Sequence, residues 1–213
     1  MQKGNIAMRL DKERRAAVLD ESLIKRLLAV ARDSKHALRN EVMIHLSFGL
    51  GLRAKEMAAL KVKDVLLPNG DLREELILGR KATKGGKVRL VYLTHATVKR
   101  ALLRHLSERK DQEGILFNPD SALLKSQKGG SFSPNTLQQL FSRLYAAAGI
   151  EGASSHSGRR TFATSLIEKG VDIKAVSTLM GHASVAMTAR YVENNPVRLK
   201  RICEEVSIGL PIH

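Results

Sequence analysis

The sequence predicts an α+β fold, mainly α-helical with one small three-stranded antiparallel sheet. Apolar residues recur at helical spacing along most of the chain, in segments that open on capping residues and close on glycine. The stretch KVKDVLLPNGDLREELILGRKATKGGKVRLVYL departs from that pattern, with three β-type runs parted by the turn sequences PNGD and TKGG. Strands and helices do not alternate as a βαβ order would require, so the helices are expected beside an antiparallel sheet.

Residues 1–19 are charged and read as a flexible basic arm. Asp20 can cap a helix with Leu23, Leu27 and Val30 on one face and Ile24 and Ala31 beside them. A second helix is expected from about Glu41 to Phe48, ending in the glycines of GLGLR. A third follows in RAKEMAAL, with Met57 and Leu60 toward the core. After the three β-type runs comes a helix over Thr97 to Leu106. SPNTLQQLFSRLYAAAG then has Ser133 as N-cap, Pro134 at the first helical position and Gly149 as stop. SHSGRRTFATSLIEKG follows, with Ser155 as cap and Gly170 as stop. Two short helices, around 172–180 and 184–191, and a final one after Pro196 complete the reading. One domain over 20–196 and a tail over 197–213 result.

Composition narrows the partners. The 213 residues carry a net charge of +15 and a pI near 10.2, a surplus that suits a polyanion, nucleic acid before an anionic membrane. Aromatic residues are 4% of the chain against 43% hydrophobic, so the core is aliphatic. The single cysteine, Cys203, cannot form an internal disulfide, and no cysteine spacing suggests a metal. No run is long and apolar enough for a membrane span, and the N-terminus lacks a signal-peptide core, so a reducing cytoplasm is expected.

Phosphate-binding GxxxxGK[ST], dinucleotide GxGxxG, GxSxG and HExxH are all missing, and the carboxylates do not cluster as two-metal chemistry needs. Basic side chains stand instead at suggestive places. Arg53 opens a helix after a Gly-rich turn, with Glu56 one turn on. Lys84 sits in TKGG, His156 and Arg159 share the first turn of a capped helix, and His182 follows Gly181 at a helix stop. Tyr191 comes nine residues later. Singly, each has an ordinary reading: a surface ion pair, a solvated lysine, a nonspecific anion site, a C-cap and a packing tyrosine.

In chain order the set resembles the catalytic signature of the tyrosine recombinases, the phage-integrase family. GLGLRAKEMAALKVKDV is similar to that family's first box, with its arginine at Arg53. KATKGGKVRLVYL resembles its β-hairpin lysine segment, with the lysine at Lys84. HSGRRTFATSLIEKGVDIKAVSTLMGHASVAMTARYV resembles the second box, placing His156, Arg159, His182 and the nucleophile Tyr191. The likeness runs from about residue 20 to 200 and implies that 20–196 is a recombinase catalytic domain.

The resemblance implies cleavage and rejoining of double-stranded DNA through a covalent 3′-phosphotyrosine, with no cofactor, metal or ATP. A phenol ionises near pH 10, so the nucleophile must shed a proton as it attacks. Arg53 and Arg159 suit the charge gathering on the phosphate oxygens, because a guanidinium offers planar paired donors. His182 would add a preorganised hydrogen bond, of a type worth roughly 3–4 kcal/mol. Lys84 is the general-acid candidate for the leaving oxygen, and His156 the group to accept or relay the tyrosine proton. Glu56 is expected to orient the cationic cluster. Lys84, Lys87 and Arg160 are expected on DNA, with further backbone contacts from RRAAVLDESLIKR and VKRALLRH.

Family members carry a helical domain before the catalytic one that closes a clamp on DNA, whereas about twenty residues precede the first expected helix here. A naturally short recombinase, a catalytic fragment and a mobile-element remnant all fit, in each case with a weaker grip on DNA. In the family the tail couples protomers in a tetramer on DNA; the alternative is a tail folded back on its own domain. A type IB topoisomerase-like relaxing enzyme and a non-catalytic DNA-binding relative are the rival functions.

Overall fold

The structure, a computed structural model, describes residues 16–79, 88–189 and 191. Helix α1 (Glu21–Arg32) starts where the Asp20 carboxylate accepts the Leu23 amide at 2.9 Å. It is followed by α2 (Ala37–Leu50), α3 (Ala54–Ala59) and α4 (Val62–Val65), then strands β1 (Glu75–Leu78) and β2 (Arg89–Tyr92). After the sheet come α5 (Ala96–Glu113), α6 (Pro134–Ala147), α7 (Ser157–Glu168), α8 (Ile173–Met180) and α9 (Val185–Ala189).

Helix α2 is the axis of the fold. Val42, Met43, Ile44, Leu46 and Leu50 are all buried, so apolar residues run round most of its circumference. Such a helix needs neighbours on several sides, and α1, α5 and α7 supply them. The main core gathers Leu27, Ile44, Leu46, Leu102, Phe141 and Tyr145. A second, smaller cluster joins α7 to α8 through Ala163, Ile167, Val176 and Met180, with Phe162 and Tyr191 packed on its edge. Helix α6 begins as expected, Ser133 Oγ accepting the Thr136 amide at 3.1 Å ahead of Pro134.

The sheet has two strands among the described residues, where three were expected. β1 and β2 run antiparallel with Glu75 opposite Tyr92 and Leu78 opposite Arg89. The first β-type run folds instead as α4. Asp64 accepts the Lys61 amide at 2.8 Å, and Val62 and Val65 are both fully buried. Three residues apart, these valines face one side of a helix but opposite sides of a strand. Leu66 keeps only an isolated bridge to Leu72.

Other boundaries shift. Residue 156, not Ser155, holds the N-cap of α7, where Ser154 Oγ accepts the His156 amide at 3.2 Å and Ser157 Oγ accepts that of Ser154 at 3.0 Å. Residues 16–19, expected within the arm, are pinned to the body. The Ala17 amide donates to Gly152 O at 3.0 Å, and that of buried Leu19 to Thr161 Oγ1 at 3.0 Å. The rest of the arm, the helix after Pro196 and the tail over 197–213 lie outside the described residues. No helix among the described residues is long and apolar enough to cross a membrane.

Helices α2 and α7 touch at Gly158, where an added Cβ would stand 2.3 Å from Ser47 Oγ and 2.8 Å from the Phe48 ring. Gly158→Ala should therefore force the two helices apart and lower unfolding free energy by about 1–3 kcal/mol, read by urea melts. His105 is buried with Nε2 against Leu123 O at 3.0 Å, and burial pulls its pKa from 6.5 to about 4. The folded ring stays neutral where the unfolded one takes up a proton, so stability is lost as pH falls from 6.5 toward 4. The loss should reach roughly 3 kcal/mol, and His105→Gln should flatten that part of the stability–pH curve.

Candidate active site

Two helices end side by side, and two arginines tie their ends together. Arg159, one turn into α7, donates from Nη1 to Gly51 O at 2.7 Å and from Nη2 to Met180 O. Arg89, at the start of β2, donates from Nη2 to Leu50 O at 3.3 Å and from Nε to Leu179 O at 2.8 Å. Each guanidinium thus spans the C-terminal carbonyls of α2 and α8, where unpaired C=O groups and the helix dipole favour a cation. Burial, then the charges of Arg89 and Arg53, pull the Arg159 pKa down to about 9, so it is still protonated at neutral pH.

Glu56 is the acid within this cluster. It is fully buried, and its carboxylate accepts three hydrogen bonds: Arg53 N–H at 2.8 Å and Arg89 Nη1 at 2.7 Å on Oε2, and Arg53 Nη1 at 2.8 Å on Oε1. The Arg53 bonds come from helix geometry, since residues i and i+3 of a first turn face each other. Glu56 holds Arg53 and Arg89 in fixed register. Among the described residues, three guanidiniums against one carboxylate leave two positive charges in excess.

His182 stands at the turn after α8. Gly181 is left-handed at φ 56°, and the His182 amide returns to Ser177 O at 3.1 Å. The ring's Nδ1 lies 2.7 Å from Thr188 Oγ1, and Thr188 O accepts the Tyr191 amide at 2.9 Å. The Tyr191 ring stacks on that of His182 with centroids 5.7 Å apart and planes 8° from parallel. Burial, then Arg159, Arg53 and Arg89, hold the His182 pKa down at about 4, so the ring is neutral at physiological pH. The His156 pKa is shifted the same way, by burial and then by the charges of Arg159 and Arg53.

Arg53, His156, Arg159, His182 and Tyr191 therefore come from four separate segments into one electrostatic neighbourhood. Lys84 and Lys87 fall on 80–87, outside the described residues. Arg160, expected on DNA, gives Nη1 to Ala16 O at 2.8 Å. From the other expected backbone contacts, Arg26 reaches Gly149 O at 3.2 Å and Arg104 reaches buried Glu41 at 3.4 Å. A basic surface not anticipated from sequence lies elsewhere, in a cleft of about 540 Å3 between the starts of α2 and α6. Lys35, Arg39, Lys128 and Arg143 line it, and among the described residues no carboxylate does. Burial and the Arg143 charge pull Arg39 down to about 10.

Arg89 and Thr188 escaped the sequence reading, although each left a trace. Arg89 falls in phase with inward-facing Val91 on an alternating strand, so it had to be buried, and a buried guanidinium needs partners. Thr188 is a fully buried hydroxyl in a short Ala-rich helix, with no pattern of its own to mark it.

Comparison with known proteins gives the family. The family model described as the phage integrase family matches residues 17–198. Tyrosine recombinase XerD of Oceanobacillus iheyensis is 32% identical over 184 residues, covering 86% of this chain and 59% of the relative. XerD of Caulobacter vibrioides is 37% identical, covering 82% of this chain and 56% of its own length. The crystal structure of XerA recombinase superposes with a TM-score of 0.72 at 26% identity, over 92% of this chain and 66% of that one. XerH site-specific recombinase, in its post-cleavage complex with palindromic difH substrate, gives 0.68 at 26% identity, over 87% and 51%. The chain thus spans about three fifths of the length of the relatives it matches. It belongs to the phage integrase family, the tyrosine recombinases.

Proposed function

We propose that the chain is a site-specific recombinase that cleaves and rejoins double-stranded DNA through Tyr191. The observation that carries this reading is the excess of two positive charges around Arg53 and Arg159, beside a neutral His182 and the Tyr191 phenol. A phosphodiester supplies the missing negative charge. Arg53 and Arg159 hold its non-bridging oxygens, their guanidiniums already oriented by Glu56 and by the Gly51 and Met180 carbonyls. Nδ1 is engaged by the Thr188 hydroxyl; in the tautomer that accepts this bond, His182 carries its proton on Nε2 and adds a neutral donor to the same oxygens.

Tyr191 Oη then attacks phosphorus and gives up its proton, which His156, neutral by its lowered pKa, accepts or relays. The bond from phosphorus to the 5′-oxygen breaks as Lys84 protonates the leaving oxygen, forming a 3′-phosphotyrosine and a free 5′-hydroxyl. Attack by a 5′-hydroxyl reverses the steps and rejoins the strand. Phosphates further along the duplex meet the basic cleft of Lys35, Arg39, Lys128 and Arg143. Four protomers act together on DNA in the cytoplasm, with residues 197–213 packing on a neighbour; family likeness is the support for that assembly.

A nicked suicide substrate drawn from the DNA flanking the coding region tests the mechanism. Wild type should form a covalent protein–DNA adduct stable to boiling in detergent, and Tyr191→Phe none. No adduct from wild type, or an equal amount from Tyr191→Phe, would refute it. Thr188→Val keeps shape but releases the His182 ring, and should slow adduct formation up to about 100-fold with duplex affinity unchanged.

A further inference from the structure

The geometry points to Arg89 as a positioning residue that sets both halves of the phosphate site at once, an inference that rests on the recombinase reading. Three acceptors from three elements surround its guanidinium: Glu56 Oε2 in α3 at 2.7 Å, Leu50 O in α2 at 3.3 Å and Leu179 O in α8 at 2.8 Å. Through Glu56 it fixes Arg53. Through Leu179 O it fixes the last turn of α8, and so the Gly181–His182 corner. Its hydrogen bonds go to the Glu56 carboxylate and two helix-end carbonyls, so its action passes through other groups.

Two further features fit this role. Gly181 combines a φ of 56° with a Cβ position only 2.7 Å from Arg89 Cδ, so the corner is shaped around the arginine stem as well as around its own backbone. Arg89 also pairs with Leu78 at the end of the hairpin whose connection carries Lys84. The root of the lysine hairpin is thereby bolted to the two helix ends that hold Arg159. A lysine here keeps one charge, but its three donors radiate from one nitrogen on a flexible stem and lack the rigid planar spread that reaches acceptors on three elements.

The test uses Arg89→Lys, which retains the charge, and Gly181→Ala, which leaves Arg89 in place but crowds its stem. Two probes are read on the full chain: orthovanadate binding without DNA, and single-turnover adduct formation on the suicide substrate. Both variants should bind a nonspecific duplex like wild type and lose orthovanadate affinity by about tenfold, as for one weakened charge-assisted hydrogen bond. Cleavage at saturating DNA should slow by about 100-fold, with the DNA concentration for half-maximal rate unchanged. Wild-type vanadate binding and cleavage in Arg89→Lys would overturn the inference. So would losses matched by equal losses in duplex binding, the mark of a general folding defect. If wild type forms no adduct while Arg89→Lys still loses vanadate, the recombinase reading falls and the positioning role stands.

Discussion

Everything in the site depends on two helices ending at the same point. The C-terminal carbonyls of α2 and α8 would repel if left to face each other, and Arg89 and Arg159 convert that repulsion into a joint. Because each arginine binds one carbonyl from each helix, neither helix end can shift without straining both. The cations are thereby held where solvation alone would disperse them, and the protein spends its folding energy keeping positive charge in excess. That is the reverse of ordinary core design, in which buried charges are neutralised.

Glu56 limits how far this goes. Without it, three guanidiniums would crowd with no local counter-charge; with it, two are held in register and the excess stays moderate. All its hydrogen bonds are internal, and it faces arginines rather than the tyrosine. Its burial is the reason the cluster can be both positive and rigid.

Much of the helical frame was legible in the sequence because caps and stops are local chemistry: Asp20, Ser133, Gly170 and Gly181 act within a few residues of themselves. The first β-type run misled because the Lys-Val-Lys-Asp-Val pattern fits alternation as well as a single helical turn. Only burial of both valines on one side decides between them. The residues expected at the site were marked by chemistry-bearing side chains in a spaced series. Arg89 and Thr188 were missed because their importance lies in partners distant in sequence, such as Glu56 and Leu179 for Arg89. The Lys35–Arg143 cleft is likewise a product of packing, its cations being scattered over more than a hundred residues of chain.

Thr188 has a consequence for control. Its carbonyl holds the Tyr191 amide and its hydroxyl holds the His182 ring, so Tyr191 and His182 hang from one anchor. A displacement of Thr188 itself would loosen both contacts at once. On the proposed mechanism, the phenol and the imidazole are thus set by the same buried residue, so that the two groups are positioned together.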